Sequence, residues 1–326
     1  MVDEQVRVAG GLTVTFRPFR PGDEQAMVDL TNTANAFDRT DWGTSLGQLR
    51  EQLQAPDFDP ARDVTLAESD GQLVALQWRR DHQHDDGHIF YAYGCSHPDW
   101  RRKGLGTEMM SRAIALALER RRSLQGSAFM ASSACAHEAG RLALLRHFGM
   151  QPVRYFCKLS RPTLDDLPDA PVPDGIAIRN YKPDVDRERT LAALDEAFRD
   201  HWSSRPASTE EWVYWTSRPE RRFDLWFLAW DGDEIAGACL CELVEAYNQV
   251  RGTKSGLVDD VAVRRPWRRR GVGAALIVAG LRALRSAGMT AAHLFADTEN
   301  ITGAMRLYER LGFVEEWRSI EHRRPI

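Results

Sequence analysis

Two stretches of the chain repeat one order of apolar and polar positions. In each, a run rich in β-branched and aromatic residues ends at a proline, a short basic segment follows, and apolar residues then recur at helical spacing. The runs His88 to Pro98 and Gly256 to Pro266 predict strands. Downstream, Ala274 to Leu284 carries apolar residues three and four apart and is closed by Gly288, and Thr107 to Arg120 behaves likewise, so each half has a helix there.

Between strand and helix lie Arg101-Arg102-Lys103-Gly104-Leu105-Gly106 and Arg268-Arg269-Arg270-Gly271-Val272-Gly273, both of the form Arg-x-x-Gly-x-Gly. A turn feeding a helix start leaves backbone N–H groups unpaired at the positive end of the helix dipole, which is a seat for a pyrophosphate. Glycines at the fourth and sixth positions keep Cβ atoms out of the anion's way and permit positive φ. The basic side chains add charge for the same anion or are simply solvated. Such a loop also occurs as an ordinary helix start, so its repetition carries the argument.

The repeat extends through the chain at a nearly constant offset. Ala36-Phe37 matches Ala197-Phe198 (197 − 36 = 161), Leu66-Ala67 matches Leu228-Ala229 (228 − 66 = 162), Arg101 matches Arg268 (268 − 101 = 167), and Gly149 matches Gly312 (312 − 149 = 163). The rise at the loop predicts a few extra residues near Tyr247 to Lys254 of the second copy. The 326 residues suit two domains, each able to bury a core. Domains are expected at 1–160 and 176–326, joined by the Pro- and Asp-rich stretch 161–175, whose composition argues against core packing.

Strand, proline, basic Gly loop and helix in this order resemble the GNAT superfamily of acyl-CoA N-acyltransferases, over nearly the whole chain and twice. The likeness is strongest from Val258-Asp259-Asp260-Val261-Ala262-Val263 through the second loop to Asn300 and Leu307-Tyr308-Glu309-Arg310-Leu311-Gly312-Phe313. It implies an α/β (α+β) fold of two tandem domains, each a mixed, mostly antiparallel central sheet flanked by helices. It implies acetyl-CoA as cofactor, held by Val261, Val263, the loop Arg268 to Gly273, Ala274 and Asn300, and in the first copy by the loop Arg101 to Gly106 and Thr107. A backbone N–H near Val263 is expected to face the thioester carbonyl.

An amine of pKa near ~10.4 must lose a proton before it attacks, so a carboxylate is needed. Asp259 and Asp260 stand together in the strand, where alternation puts one on each face; Glu242 and Glu245 are further candidates, with surface carboxylates as the bland reading of each. The resemblance gives Tyr308, four residues before Gly312, the role of protonating the departing thiolate. Asn300 either caps the helix that follows or bonds the pantetheine arm. In the first copy the position four before Gly149 is Leu145, and the strand Ile89 to Ser96 has no acidic residue. The first domain is therefore expected to have lost catalysis while its loop glycines are intact, unless Tyr91 or Tyr93 substitutes.

The acceptor groove is expected around His201, Trp202 and Glu242. Trp212 and Trp215, three apart, either line it or pack one helix face onto the core. The cluster Asp81-His82-Gln83-His84-Asp85-Asp86-Gly87-His88 looks like metal ligands, but Asp-Gly marks a hairpin turn where one is due, and no metal is predicted. A net charge of −4 argues against bulk nucleic-acid binding, five cysteines without paired spacing read as reduced thiols, and no long apolar run suggests a membrane span or leader. A cytoplasmic acetyltransferase acting on a small-molecule amine follows, as a pseudo-dimeric monomer or a homodimer. In layout the chain is similar to the mycothiol synthases, tandem members with one degenerate copy. Peptide or aminoglycoside-like amines, and a non-catalytic acyl-CoA sensor, remain open as other readings.

Overall fold

The computed structural model describes residues 3–9, 11–40, 43–56, 58–217, 221–300 and 302–326. The chain divides into two compact units, Met1–Arg154 with Gln249–Arg251 and Ser319–Ile326, and Tyr155–Asn248 with Gly252–Arg318.

In chain order the first half forms β1 (Glu4–Arg7), β2 (Thr13–Pro18), α1 (Glu24–Asp38), α2 (Leu46–Leu53), α3 (Pro60–Asp63), β3 (Val64–Ser69), β4 (Gln72–His84), β5 (Gly87–Ser96), α4 (Leu105–Arg121), β6 (Ala128–Cys135), α5 (Ala139–His147) and β7 (Gln151–Arg161). The second half forms β8 (Ile176–Asn180), α6 (Pro183–Phe198), α7 (Thr209–Thr216), β9 (Trp226–Asp231), β10 (Glu234–Leu243), α8 (Glu245–Arg251), β11 (Ser255–Val263), α9 (Val272–Ser286), β12 (Ala291–Asp297), α10 (Ala304–Arg310) and β13 (Val314–Pro325). The landmarks behind the repeat fall on equivalent elements. The extra residues of the second copy are α8; in the first, β4 turns straight into β5 in a hairpin whose ladder runs to His84↔Gly87.

Each unit has one sheet with a single parallel neighbour pair. In the first the order is β1-β2-β3-β4-β5-β6-β13, antiparallel except β5 with β6. In the second it is β8-β9-β10-β11-β12-β7, antiparallel except β11 with β12. The last strand of each sheet comes from the other half of the sequence: Ser319–Pro325 pairs with β6, and Phe156–Arg161 pairs with β12. Composition at 161–175 therefore does not mark where the units part. Within that stretch Leu164 is buried in the second unit's core and donates its N–H to Thr290 O at 2.9 Å, while Leu167 and Ala170 pack against the same core. Prolines interrupt the regular structure there without keeping apolar side chains out.

The second core is built on α9, whose Leu276, Ile277, Leu281 and Leu284 are fully buried over β10 and β11. Trp212 joins it against Trp226, at 5.9 Å between ring centroids, which settles its role as packing. α10 is closed by Gly312 at φ +82°. Beneath it the buried Arg161 donates from Nη1 to Leu311 O at 2.5 Å and from Nη2 to Asp166 O at 2.8 Å. A Cβ on Gly312 would lie 1.8 Å from Arg161 Nη1, whereas the equivalent Gly149 (φ +70°) has open space around it. Gly312→Ala is thus expected to carry left-handed strain of about 1–2 kcal/mol plus loss of the arginine bracket, and Gly149→Ala the strain alone. Melting curves of the full-length variants check this: Gly312→Ala melts below Gly149→Ala, which melts below the parent.

Candidate active site

The two basic loops have one backbone. The second residue is left-handed in both, Arg102 at φ 60° and Arg269 at φ 61°, and so is the fourth, Gly104 at φ 87° and Gly271 at φ 91°. Gly104 and Gly271 precede the first turns of α4 and α9 and bring their N–H groups to the loop concavity. A Cβ on Gly106 would meet Leu144 at 3.2 Å and one on Gly273 would meet Leu307 at 3.3 Å, so helix and loop pack closely in both copies. The arrangement suits a phosphate-bearing ligand.

The first arginine of each loop works differently from the expectation. Arg268 donates from Nε to Val263 O (2.9 Å) and from Nη2 to Ala197 O (3.1 Å), and pairs with Asp200 at 2.7 Å. Arg101 donates to Ser96 O (3.4 Å) and pairs with Asp38 at 2.5 Å. Arg101 ties its strand end to the last residue of α1 and Arg268 ties its own to the end of α6, so each guanidinium is spent on the protein rather than on an anion. Arg265 and Arg268 together hold the Asp200 carboxyl well below the usual carboxylate range. Sequence reasoning missed these partners, although Asp38 and Asp200 obey the repeat offset (200 − 38 = 162). The exposed cations are Arg102, Arg269 and Arg270, the last 4.0 Å from Asp231; Lys103 lies over the Trp100 ring at 4.7 Å.

Beyond the loop the second sheet opens. β11 and β12 pair only at Ser255↔Ala291, Gly256↔Ala292 and Leu257↔His293, then part. At the same place β11 carries a bulge against β10: Leu240 faces Asp260, but Cys241 faces Val258, and Asp259 is left without a partner. The bulge overturns strict alternation at this pair. Both carboxylates feel the guanidinium of Arg221, which itself contacts Glu242 Oε1 and donates from Nε to Trp215 O at 2.9 Å.

Desolvation raises both carboxyls. Asp259 reaches solvent, but protein atoms crowd its other sides and push its carboxyl upward, with Arg221 opposing. Half-buried Asp260 is pushed up to about 7, first by desolvation, then by the charge of Asp259, again opposed by Arg221. A carboxyl titrating there accepts and releases protons at neutral pH.

Tyr308 stands on α10, buried, its ring 6.0 Å from Phe313. Burial foremost, then Cys239, Cys157 and Asp260, raise its phenol, which stays protonated at neutral pH. The equivalent Leu145 is fully buried in the first unit's core. There Tyr91 and Tyr93 stack at 5.8 Å, and Tyr91 Oη meets His84 Nε2 at 3.2 Å. His88 Nε2 meets Asp81 at 2.8 Å across the hairpin.

Other expected site residues are placed as follows. Asn300 does not cap α10, whose N-cap is Gly303; its Oδ1 accepts from Thr302 N at 2.8 Å and closes the preceding turn. Trp202 leans on Phe156 at 6.4 Å, beside the β7–β12 rung of Asp297. His201 turns to its own chain, Nδ1 meeting Trp202 O at 3.1 Å. Glu242 stands on the face of Asp260 and Leu257, while Glu245 is exposed in the first turn of α8. Arg221, absent from the expectation, follows a stretch with no distinguishing spacing. Among the described residues no group of three or more His, Cys, Asp or Glu side chains is placed to hold a metal, and no helix is long and apolar enough to cross a membrane.

Comparison with known proteins bears on this geometry. Residues 27–138 and 188–313 each match the Acetyltransferase (GNAT) family. A mycothiol acetyltransferase of Thermobispora bispora is 28% identical over 321 residues, covering 93% of this chain and 97% of its own. A GCN5-related N-acetyltransferase from Sphaerobacter thermophilus superposes with a TM-score of 0.77 at 27% identity, covering 96% and 95% of the two chains. A tandem GNAT protein from the clavulanic acid biosynthesis pathway shares the fold with a TM-score of 0.66 at 17% identity, over 96% of this chain and 98% of that one.

The raised Asp260 carboxyl predicts a pH-dependent cost. Between an unfolded pKa of 3.8 and a folded one of about 7, the unfolded chain releases a proton that the folded chain keeps, so stability falls as pH rises through that window. Asp260→Asn is expected to melt above the parent at pH 8 and close to it at pH 4; equal melting temperatures at pH 8 would contradict the raised carboxyl.

Proposed function

The chain belongs to the GNAT acetyltransferase family, an acyl-CoA-dependent N-acetyltransferase of tandem layout, and on that premise we propose that it acetylates a primary amine of a small molecule from acetyl-CoA in its second domain. The observation that carries this reading is the coincidence, at one parted strand pair, of a phosphate cradle, a carboxyl poised near neutrality and a protonated phenol. The first domain has the cradle but Leu145 in place of the phenol.

Acetyl-CoA, when bound, supplies the acetyl thioester; the rest is the work of this chain. The helix start after Gly271, with Arg269 and Arg270, holds the phosphates. The backbone near Val263, on a strand edge facing the gap, donates to the carbonyl oxygen as negative charge grows there. Asp260, with Asp259 beside it, takes the ammonium proton of the acceptor and passes it to water, leaving a free amine. As the C–N bond forms and the C–S bond breaks, Tyr308 Oη–H protonates the sulfur and recovers its proton as the acetylated nitrogen sheds its second one. One proton is released per turnover. The desolvation that weakens the phenol as an acid also makes the thiolate more basic, which keeps the transfer matched.

For the acceptor, the groove beside Glu242 and Arg221, with Trp202 and Phe156 over the end of β12, favours a polar small molecule. The mycothiol acetyltransferase relatives suggest an amine of that kind. Free-thiol release from acetyl-CoA across a panel of small-molecule, peptide and aminoglycoside amines tests the class; turnover with none of them, despite coenzyme A binding, contradicts an enzyme reading.

Two outcomes bear on the assigned groups. Tyr308→Phe is expected to lower kcat about 100-fold or more with KM for acetyl-CoA changed little; unchanged turnover removes the general-acid role. In the parent, kcat/KM rises with pH to a midpoint of about 7, and Asp260→Asn abolishes that limb along with most of the rate. A variant that keeps the limb assigns the base elsewhere.

A further inference from the structure

The gap that opens in the second sheet has a counterpart in the first, between β5 and β6, and there it is laced shut. Backbone pairing in the first unit ends at Tyr91↔Ala131. At the next rung the buried Ser132 donates from Oγ to Ala92 O at 2.7 Å. Beyond that, Arg141, in the first turn of α5, donates from Nη1 to Gly94 O at 3.2 Å. Two residues of β5, Ala92 and Gly94, are thus bridged by side chains from across the gap.

Among the described residues the second unit has no equivalents. Its parallel pair fixes the correspondence: Ser255↔Ala291 against His88↔Ala128 gives offsets of 167 on one strand (255 − 88) and 163 on the other (291 − 128). Ser132 and Arg141 therefore correspond to Phe295 and Ala304, whose side chains donate no hydrogen bond. Ala92, Tyr93 and Gly94 correspond to Asp259, Asp260 and Val261.

A ligand carrying amides, such as the arm of an acyl-CoA, enters a parted strand pair by bonding the unpaired N–H and C=O groups of the strand edge, as an added strand does. In the first gap the acceptors at Ala92 and Gly94 are taken, and a guanidinium spans the opening. We propose that Ser132 and Arg141 seal the first gap, so that the chain takes up one acyl-CoA, in the second domain, although both loops keep the phosphate cradle.

The inference concerns binding alone and does not depend on which amine is acetylated. Calorimetric titration of the full chain with coenzyme A tests it. The parent is expected to bind one equivalent, and Gly273→Val, not Gly106→Val, to abolish that binding. Arg141→Ala combined with Ser132→Ala unlaces the gap and raises the stoichiometry from about one to about two. As a converse that leaves the first unit untouched, Ala304→Arg with Phe295→Ser laces the second gap and weakens coenzyme A binding at least tenfold. Two equivalents bound by the parent, or one equivalent lost with Gly106→Val, would overturn the proposal, as would a folded unlaced variant that still binds one.

Discussion

The candidate site in the second domain depends on one interruption of hydrogen bonding. Three rungs join β11 to β12 and then stop, and at that point β11 spends an extra residue, Asp259, in a bulge against β10. A parted parallel pair inside a sheet is the place where main-chain donors face an opening without the chain pairing with itself. The loop that follows β11 delivers a helix start to the same opening, and α10 brings Tyr308 to it. One break in the ladder thus collects a phosphate cradle, a strand edge and titratable groups, and it is where desolvation raises the Asp259 and Asp260 carboxyls against the opposing charge of Arg221.

The repeat and the loops were legible in the sequence because glycine positions and offsets are set by backbone conformation. Left-handed φ at Gly104 and Gly271, and at Gly149 and Gly312, is demanded locally and so leaves a local mark. The role expected of Tyr308 came only from family likeness. The bulge was not: it is a relation between β11 and its neighbour β10, and strict alternation along β11 gave the wrong geometry for the acid pair. Arg221 arrives from a separate loop, and of the two roles left open for Asn300 the cap falls away because Gly303 begins the helix. The exchange of last strands, β13 into the first sheet and β7 into the second, is likewise a pairing choice, and the prolines between the halves concealed the burial of Leu164.

Comparing the halves separates what the fold needs from what the chemistry needs. Arg101 with Asp38 and Arg268 with Asp200 make the same brace in both copies, so the leading arginine of the loop pattern reports architecture more than ligand. What differs lies across the gap: Ser132 and Arg141 in one half, Phe295 and Ala304 in the other, and Leu145 against Tyr308. A duplicated fold can keep its backbone device while its side chains take over the hydrogen bonds that a ligand would make.

The most direct test of this division is the position of the thioester in a crystal structure of the chain with acetyl-CoA. The account predicts the acetyl group between β11 and β12, with its sulfur within hydrogen-bonding reach of Tyr308 Oη and its carbonyl toward the backbone near Val263. A thioester lodged between β5 and β6, beside Leu145, with the second gap empty, would contradict it.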